Sequence, residues 1–324
     1  MGLDRREFIK RMAMLLATYS LGGLINSQDL FAETQSLTSN NFSEGMPTRN
    51  LGQSGLDVSL FSLGGQATLE QPVNEEKAIE IINRALDLGV NYIDTAPSYG
   101  DGISETYIGQ VMQNRREEVF LATKTHNYDY DGTMSLIESS LERLQTDYLD
   151  LYQLHSVRTE ADLREIFASH GAIKALEELK SEGVIENIGI TGHRDPDILL
   201  RGIQEYDFDC LLMTLNAADI HYKPFQNSLL NTAVEKDLGI IAMKIPAHGR
   251  IFQEGGLTKM EQALCYTLTF PVSTAIVGIS TIEELEENVE IAKNFEPLTN
   301  SELAELEALT ESYQREGNFF KYHW

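Results

Sequence analysis

From Pro47 onward the hydrophobic residues fall into two alternating patterns. Short apolar runs of strand length, rich in β-branched or aromatic residues, lie at Val58 to Leu63, Val90 to Ile93, Val119 to Ala122, Leu149 to Leu154, Ile185 to Ile190, Leu211 to Leu215, Ile240 to Met243 and Ala275 to Val277. Between them the spacing turns helical, over Glu75 to Leu88, Glu105 to Gln113, Met134 to Leu144, Ile173 to Ser181, Asp197 to Gln204, Asn227 to Lys236, Lys259 to Thr269 and Ile282 to Lys293. Gly89, Gly183 and Gly239 close three of these helices before the next strand, where a positive φ is needed. Eight such alternations in about 250 residues predict an α/β fold of the closed (β/α)8 TIM-barrel type rather than an open doubly wound sheet. Residues 49–56 read as an N-terminal hairpin plugging the bottom of the barrel. Residues 301–313 read as a C-terminal extra helix, ahead of an aromatic tail that begins at Phe319.

The first 46 residues break this pattern. Arg5-Arg6, Phe8, Lys10 and Arg11 precede an apolar run from Met12 to Leu24, which resembles a twin-arginine export signal. The run is shorter than the roughly 20 residues that span a bilayer. The chain therefore divides into an export signal or anchor (1–32), a flexible Ser/Thr/Asn-rich leader (33–46) and the barrel with its helix and tail (47–324). The leader predicts the twin-arginine export machinery as a partner and delivery to the periplasm, with association at the inner membrane through the N-terminal segment as the alternative.

Charge and cysteine content narrow the chemistry. A formal charge of -25 over 324 residues lacks the positive footprint that phosphate backbones require, so no nucleic acid is expected. Two cysteines, Cys210 and Cys265, make no disulfide framework and no metal-ligand spacing. What remains is a set of polar residues at the C-terminal ends of consecutive strands, where a barrel keeps its chemistry. Asp94 closes the second, Lys124 the third and His155 the fourth, and Tyr99 follows in the loop after Asp94. Each alone is ordinary, but together they can converge on one point.

These residues sit in longer motifs. Gly89 to Gly100 reads GVNYIDTAPSYG; Ser104-Glu105, Gly109 and Thr123-Lys124 follow, then Asp147 to His155 reads DYLDLYQLH. Gly183 to Gly189, Asn216, and Gly278-Ile279-Ser280 with Asn288 continue the pattern. Over about residues 47 to 295 the chain resembles the aldo-keto reductases. That resemblance implies an NADP- or NAD-dependent enzyme that interconverts a small carbonyl substrate and its alcohol by hydride transfer. Tyr99 is the implied general acid and base, assisted by Lys124, Asp94 and His155. No G-x-G-x-x-G loop follows a first strand, so the nucleotide must be held by other means.

The family's cofactor lies extended across the top of the barrel. Gly278, Ser280 and Thr281, at the start of the helix from Ile282, are implied to receive its anionic part, and Asn288 its adenine. Around the nicotinamide the chain departs from the commoner pattern. Thr191-Gly192-His193 replaces Ser-Asn, Asn216-Ala217 replaces Asn-Gln, and Met243-Lys244 stands where many relatives carry a stacking aromatic. Glu284 occupies a place that relatives preferring the phosphorylated cofactor commonly fill with Arg, which predicts that NADH serves at least comparably to NADPH. The alternative function is a nucleotide-binding partner subunit, exported or membrane-associated, with little turnover. His126, Tyr128, Tyr130, Arg158, His221, Tyr222 and the His248-Gly249-Arg250 loop are candidate pocket or lid residues.

Overall fold

A computed structural model describes residues 45–323. Two short strands, β1 (Thr48–Asn50) and β2 (Asp57–Ser59), pair antiparallel as the expected hairpin. Eight parallel strands then close a barrel: β3 (Phe61–Ala67), β4 (Tyr92–Asp94), β5 (Phe120–Thr125), β6 (Leu149–Leu154), β7 (Ile185–Gly192), β8 (Cys210–Thr214), β9 (Gly239–Met243) and β10 (Thr274–Ile279), the last pairing back onto β3. The main surrounding helices are α1 (Glu75–Asp87), α2 (Ile103–Arg115), α3 (Tyr130–Leu144), α4 (Glu160–Ile166), α5 (Ala172–Glu182), α6 (Pro196–Glu205), α7 (Ser228–Glu235), α8 (Met260–Thr269) and α9 (Ile282–Lys293). After them come α10 (Asn300–Thr310), α11 (Gln314–Gly317) and α12 (Phe319–His323).

The period-two alternation of a strand divides the core in two. One apolar cluster fills the space between strands and helices, and a smaller one fills the barrel: Tyr92, Phe120, Ala122, Leu151, Cys210, Leu212, Ile241 and Ile276. Leu51 joins this inner cluster from the hairpin and seals its lower end. Gly52 makes the seal possible: its φ is +54°, and a Cβ there would lie 2.3 Å from the Gly239 backbone nitrogen.

Several expectations are corrected. The run from Val58 to Leu63 is two elements: Val58 belongs to the hairpin, and the barrel strand begins at Phe61. An apolar run cannot by itself show where one strand ends and the next begins. Helix α4 is an additional element between the expected strand at Leu149 to Leu154 and the expected helix from Ile173, and Thr159 and Asp162 form a reciprocal capping box at its start. Met46, assigned to the leader, is buried in the core beside Gly89. The localisation expected in the periplasm or at the inner membrane is corrected on the point of anchoring: no helix among the described residues is long and apolar enough to cross a membrane. The export-signal reading of residues 1–32, and the leader up to residue 44, lie outside the described residues.

Candidate active site

Parity along the strands builds the site. Residues two positions beyond the inner cluster point the same way, so Asp94 follows Tyr92, Lys124 follows Ala122, Gln153 follows Leu151 and Met243 follows Ile241. Strand register sets Lys124 beside Gln153. The Lys124 ammonium donates to Asp94 Oδ1 and, at 2.7 Å, to the Thr95 carbonyl. Gln153 Nε2 donates to the other Asp94 oxygen at 2.9 Å. Lys124 and Asp94 are both buried, as is Gln153. Gly189 leaves room for that amide, because a Cβ there would come within 2.9 Å of Gln153 Cγ.

Tyr99 sits above this pair, its ring centroid 5.1 Å from Lys124 Nζ and 6.0 Å from the His155 ring, which meets it edge-on. Burial pushes the Tyr99 phenol above its ordinary pKa, the Lys124 ammonium pulls against that rise, and Asp94 adds to it. Burial also acts to lower the Lys124 ammonium, but Asp94 and then Tyr99 outweigh it and hold the group above the ordinary lysine value. His155 is kept well below the ordinary histidine range by burial and then by Lys124. At neutral pH the cluster therefore presents a protonated phenol, a paired ammonium and a neutral imidazole.

Two cavities meet at this cluster. One, of about 500 Å³, holds Tyr99, Lys124 and His155 together with Thr191, His193 and Lys244. The other, of about 750 Å³, is a groove that runs from Asp94 and Tyr99 past Met243 and Lys244 to Gly278, Ser280, Glu284 and Asn288. Gln66, Glu70, Tyr99, Met243 and Lys244 border both. Burial, with Lys124 nearby, brings the Lys244 ammonium down to about 8. At the far end Asn288 Nδ2 donates to the Glu284 carbonyl at 2.9 Å, while its buried Oδ1 has no protein partner.

The model of the aldo/keto reductase family matches residues 60–255. The chain belongs to this family. Its members are NAD(P)-dependent oxidoreductases, and this chain is one. It is similar to an oxidoreductase of Bacillus subtilis, YqkF, at 32% identity over 82% of this chain and 97% of that one. L-galactose dehydrogenase of Arabidopsis thaliana is 29% identical over 81% of this chain and 94% of its own length. Among solved structures, the holo form of aldo-keto reductase AKR11C1 from Bacillus halodurans superposes with a TM-score of 0.70 at 28% identity, covering 82% of this chain and 96% of that one.

The residues read from the sequence do not all reach this aldo-keto reductase site. Asp94, Tyr99, Lys124 and His155 come together, and Met243, Lys244, Gly278, Ser280, Glu284 and Asn288 line the groove. Thr191 borders the smaller cavity, where its Oγ1 accepts from the Ser156 amide at 2.8 Å. Asn216 borders neither. It is fully buried, its Nδ2 donating to the Lys244 carbonyl at 3.1 Å and its Oδ1 accepting from the Ala218 amide at 2.9 Å. Thr281 is spent as a helix cap, accepting from the Glu284 amide at 3.2 Å. Glu284 folds back so that its Oε2 accepts from the Ser280 amide at 2.7 Å, which occupies a helix-start donor expected to meet the cofactor.

Among the loop candidates, His126, Tyr128 and Arg158 border the smaller cavity, and His248 and Gly249 border the groove. Tyr130 instead donates to Glu178, His221 meets the Glu307 carbonyl, and Tyr222 stacks on Tyr322. Arg250 lies against the Phe319 ring at 4.2 Å. The aromatic tail packs on the same rim, Phe320 against His193 and Phe319 against His248. Gln66, Glu70 and Gln153 carried no role in the sequence reading. Counting two residues on from an inward Leu151 would have found Gln153, whereas nothing local marks Gln66 or Glu70.

Proposed function

We propose that the protein reduces aldehydes or ketones to alcohols, or runs the reverse reaction, with Tyr99 as the proton donor and acceptor. Reduction places a hydride on the carbonyl carbon and a proton on its oxygen; a nicotinamide cofactor supplies the hydride when bound. The observation that carries this reading is the Lys124 ammonium, held by Asp94 beneath the Tyr99 phenol at the meeting point of the two cavities. A phenol of raised pKa stays protonated until a substrate oxygen gains charge. Lys124 then stabilises the phenolate left behind. His155, neutral, supplies a hydrogen bond that orients the substrate oxygen.

The groove fits an extended nucleotide. It begins at Tyr99 and ends at the unsatisfied Asn288 Oδ1, an acceptor suited to an exocyclic amine. Met243 offers an apolar surface to the nicotinamide ring, and Lys244, with Lys259 further along, places positive charge on the wall. Glu284 and Glu287 crowd the Asn288 end, and no arginine lines the groove. This arrangement favours a free ribose hydroxyl over a phosphate there and supports NADH use at least comparable to NADPH. Tyr99→Phe tests the whole reading. Carbonyl reduction falls by roughly 100-fold or more while nucleotide affinity, measured by fluorescence titration, stays near wild type; turnover close to wild type would refute the assignment.

A further inference from the structure

A hydride donor lying in the groove and a carbonyl lying in the smaller cavity can meet only where the two open into each other. The side chains there are Gln66, Glu70, Tyr99, Met243 and Lys244. Lys244 reaches this place against the strand pattern. Met243, the last residue of β9, packs on the inner cluster, so strict alternation would turn the next side chain outward toward the helices. A φ of +62° at Lys244 breaks the alternation and brings the side chain back to the barrel mouth. Lysine seldom takes that conformation unless its surroundings impose it. Here the Lys244 carbonyl accepts from Asn216 Nδ2 and from the Ala247 amide, both at 3.1 Å. Asn216 Nδ2 also donates to the Gly317 carbonyl at 3.3 Å, so helix α11 braces the same turn. At the other end of the side chain, Nζ donates to Gln66 Oε1 at 3.3 Å and lies 3.3 Å from His248 Nε2.

The groups that face Lys244 come from several elements. Lys124 of β5 is paired with Asp94 of β4, and Glu70 follows β3. Burial keeps the Tyr99 phenol protonated. His155, His193 and His248 are neutral at pH 7, because burial holds the first well below its ordinary pKa and brings the others to about 3 and about 4. Burial, and then Lys124, bring Lys244 to about 8, while Glu70 pulls the other way. The side chain is thus mostly an ammonium at pH 7 and mostly an amine at pH 9.5. Loss of hydride turns an uncharged nicotinamide ring into a cation, whereas the phosphates of the nucleotide carry the same charge in both states. A cation within about 10 Å of that ring, at an effective dielectric near 20, weakens binding of the oxidised form by roughly tenfold or more. Its attraction for the phosphates cancels between the two forms. We propose that Lys244 discriminates between the oxidation states of the nicotinamide cofactor, retaining the reduced form and expelling the oxidised one, which suits the carbonyl-reducing direction. This rests on the reading of the groove as the nucleotide site.

The test is a set of equilibrium titrations on the full-length protein at pH 7 and pH 9.5, with NADH followed by fluorescence and NAD+ by displacement of NADH. In the wild type the ratio of the NAD+ to the NADH dissociation constant should fall at least about fivefold between the two pH values, because NAD+ binds more tightly once Lys244 has lost its proton. Lys244→Gln should give the low ratio at both pH values. Lys244→Arg stays charged throughout and should keep the high ratio at both. Lys244→Gln that weakens both nucleotides alike, leaving their ratio at pH 7 unchanged, would make Lys244 a phosphate contact and overturn the discrimination. So would a wild-type ratio insensitive to pH, or an arginine variant that behaves as the glutamine one does. The groove would still be the nucleotide site in those cases. Failure of the wild type to bind either nucleotide would overturn both readings.

Discussion

Replacing Lys124 by Met tests the electrostatic core of the proposed mechanism. The ammonium lies 5.1 Å from the centre of the Tyr99 ring, and at an effective dielectric near 20 a unit charge at that range is worth about 3 kcal/mol to a phenolate. That is about two pKa units, so the variant should lose roughly 100-fold in kcat with saturating cofactor and aldehyde. The sign for pH follows. Reduction needs the protonated phenol, so activity falls as pH rises through the Tyr99 pKa, and removing Lys124 moves that alkaline limb upward. Stability changes as well, because Asp94 is left as a buried carboxylate without its cation, at a cost of about 3–5 kcal/mol. The double variant Asp94→Asn/Lys124→Met removes that charge and should regain much of the stability but none of the rate. Steady-state kinetics from about pH 7 to 11.5, a range that extends above 10 because the Tyr99 phenol lies above its ordinary value, with urea unfolding of all three proteins at pH 7, make the measurement. A single variant within threefold of wild-type kcat and with an unshifted profile would refute the reasoning.

Other outcomes follow from the same geometry. Gln153→Leu removes the amide that holds Asp94 at 2.9 Å and should lower kcat by about tenfold and displace the alkaline limb; a superimposable pH profile would assign Gln153 to packing alone. Glu284→Gln removes a carboxylate from the groove and should shift the NADPH-to-NADH affinity ratio about 5- to 30-fold toward NADPH, read by titrating both nucleotides; an unchanged ratio would show that Glu284 only caps its helix. His155 and His193 are neutral in the fold down to low pH, whereas in the unfolded chain they take up protons below about 6.5. The unfolded state thus binds more protons, and stability should decline as pH falls from about 6.5 toward 3, by up to about 1.4 kcal/mol per pH unit for each residue; urea unfolding that gives equal stability at pH 7 and 5 would overturn this.

The barrel was legible because its signals are local. A strand-length apolar run and a helical period each act over a few residues, and so does a closing glycine at Gly89 and Gly183, although before Gly239 it is Asp237 that takes the positive φ; their repetition names the architecture. The convergence of the candidate cluster was legible for a related reason: Asp94, Lys124 and His155 lie at the ends of consecutive strands, and parallel strands deliver their ends to one rim. What was lost depends on where a side chain turns once it arrives. Asn216 follows a strand as plausibly as His155 does, yet its Nδ2 donates to the Lys244 and Gly317 carbonyls, 28 and 101 residues along the chain, and these hold it in the core.

Glu284 illustrates the same limit at closer range. Four residues separate it from Ser280, the reach of one helical turn, so the carboxylate that a linear reading aims at a ribose can equally close on the Ser280 amide, and in the fold it does. The two roles are linked, because a carboxylate on that amide occupies the position where an anionic part of the cofactor would otherwise find a helix-start donor. Nucleotide phosphate must then either displace Glu284 or be met elsewhere along the groove, where Lys244 and Lys259 stand. One side chain thus makes the helix cap and carries the cofactor preference proposed above.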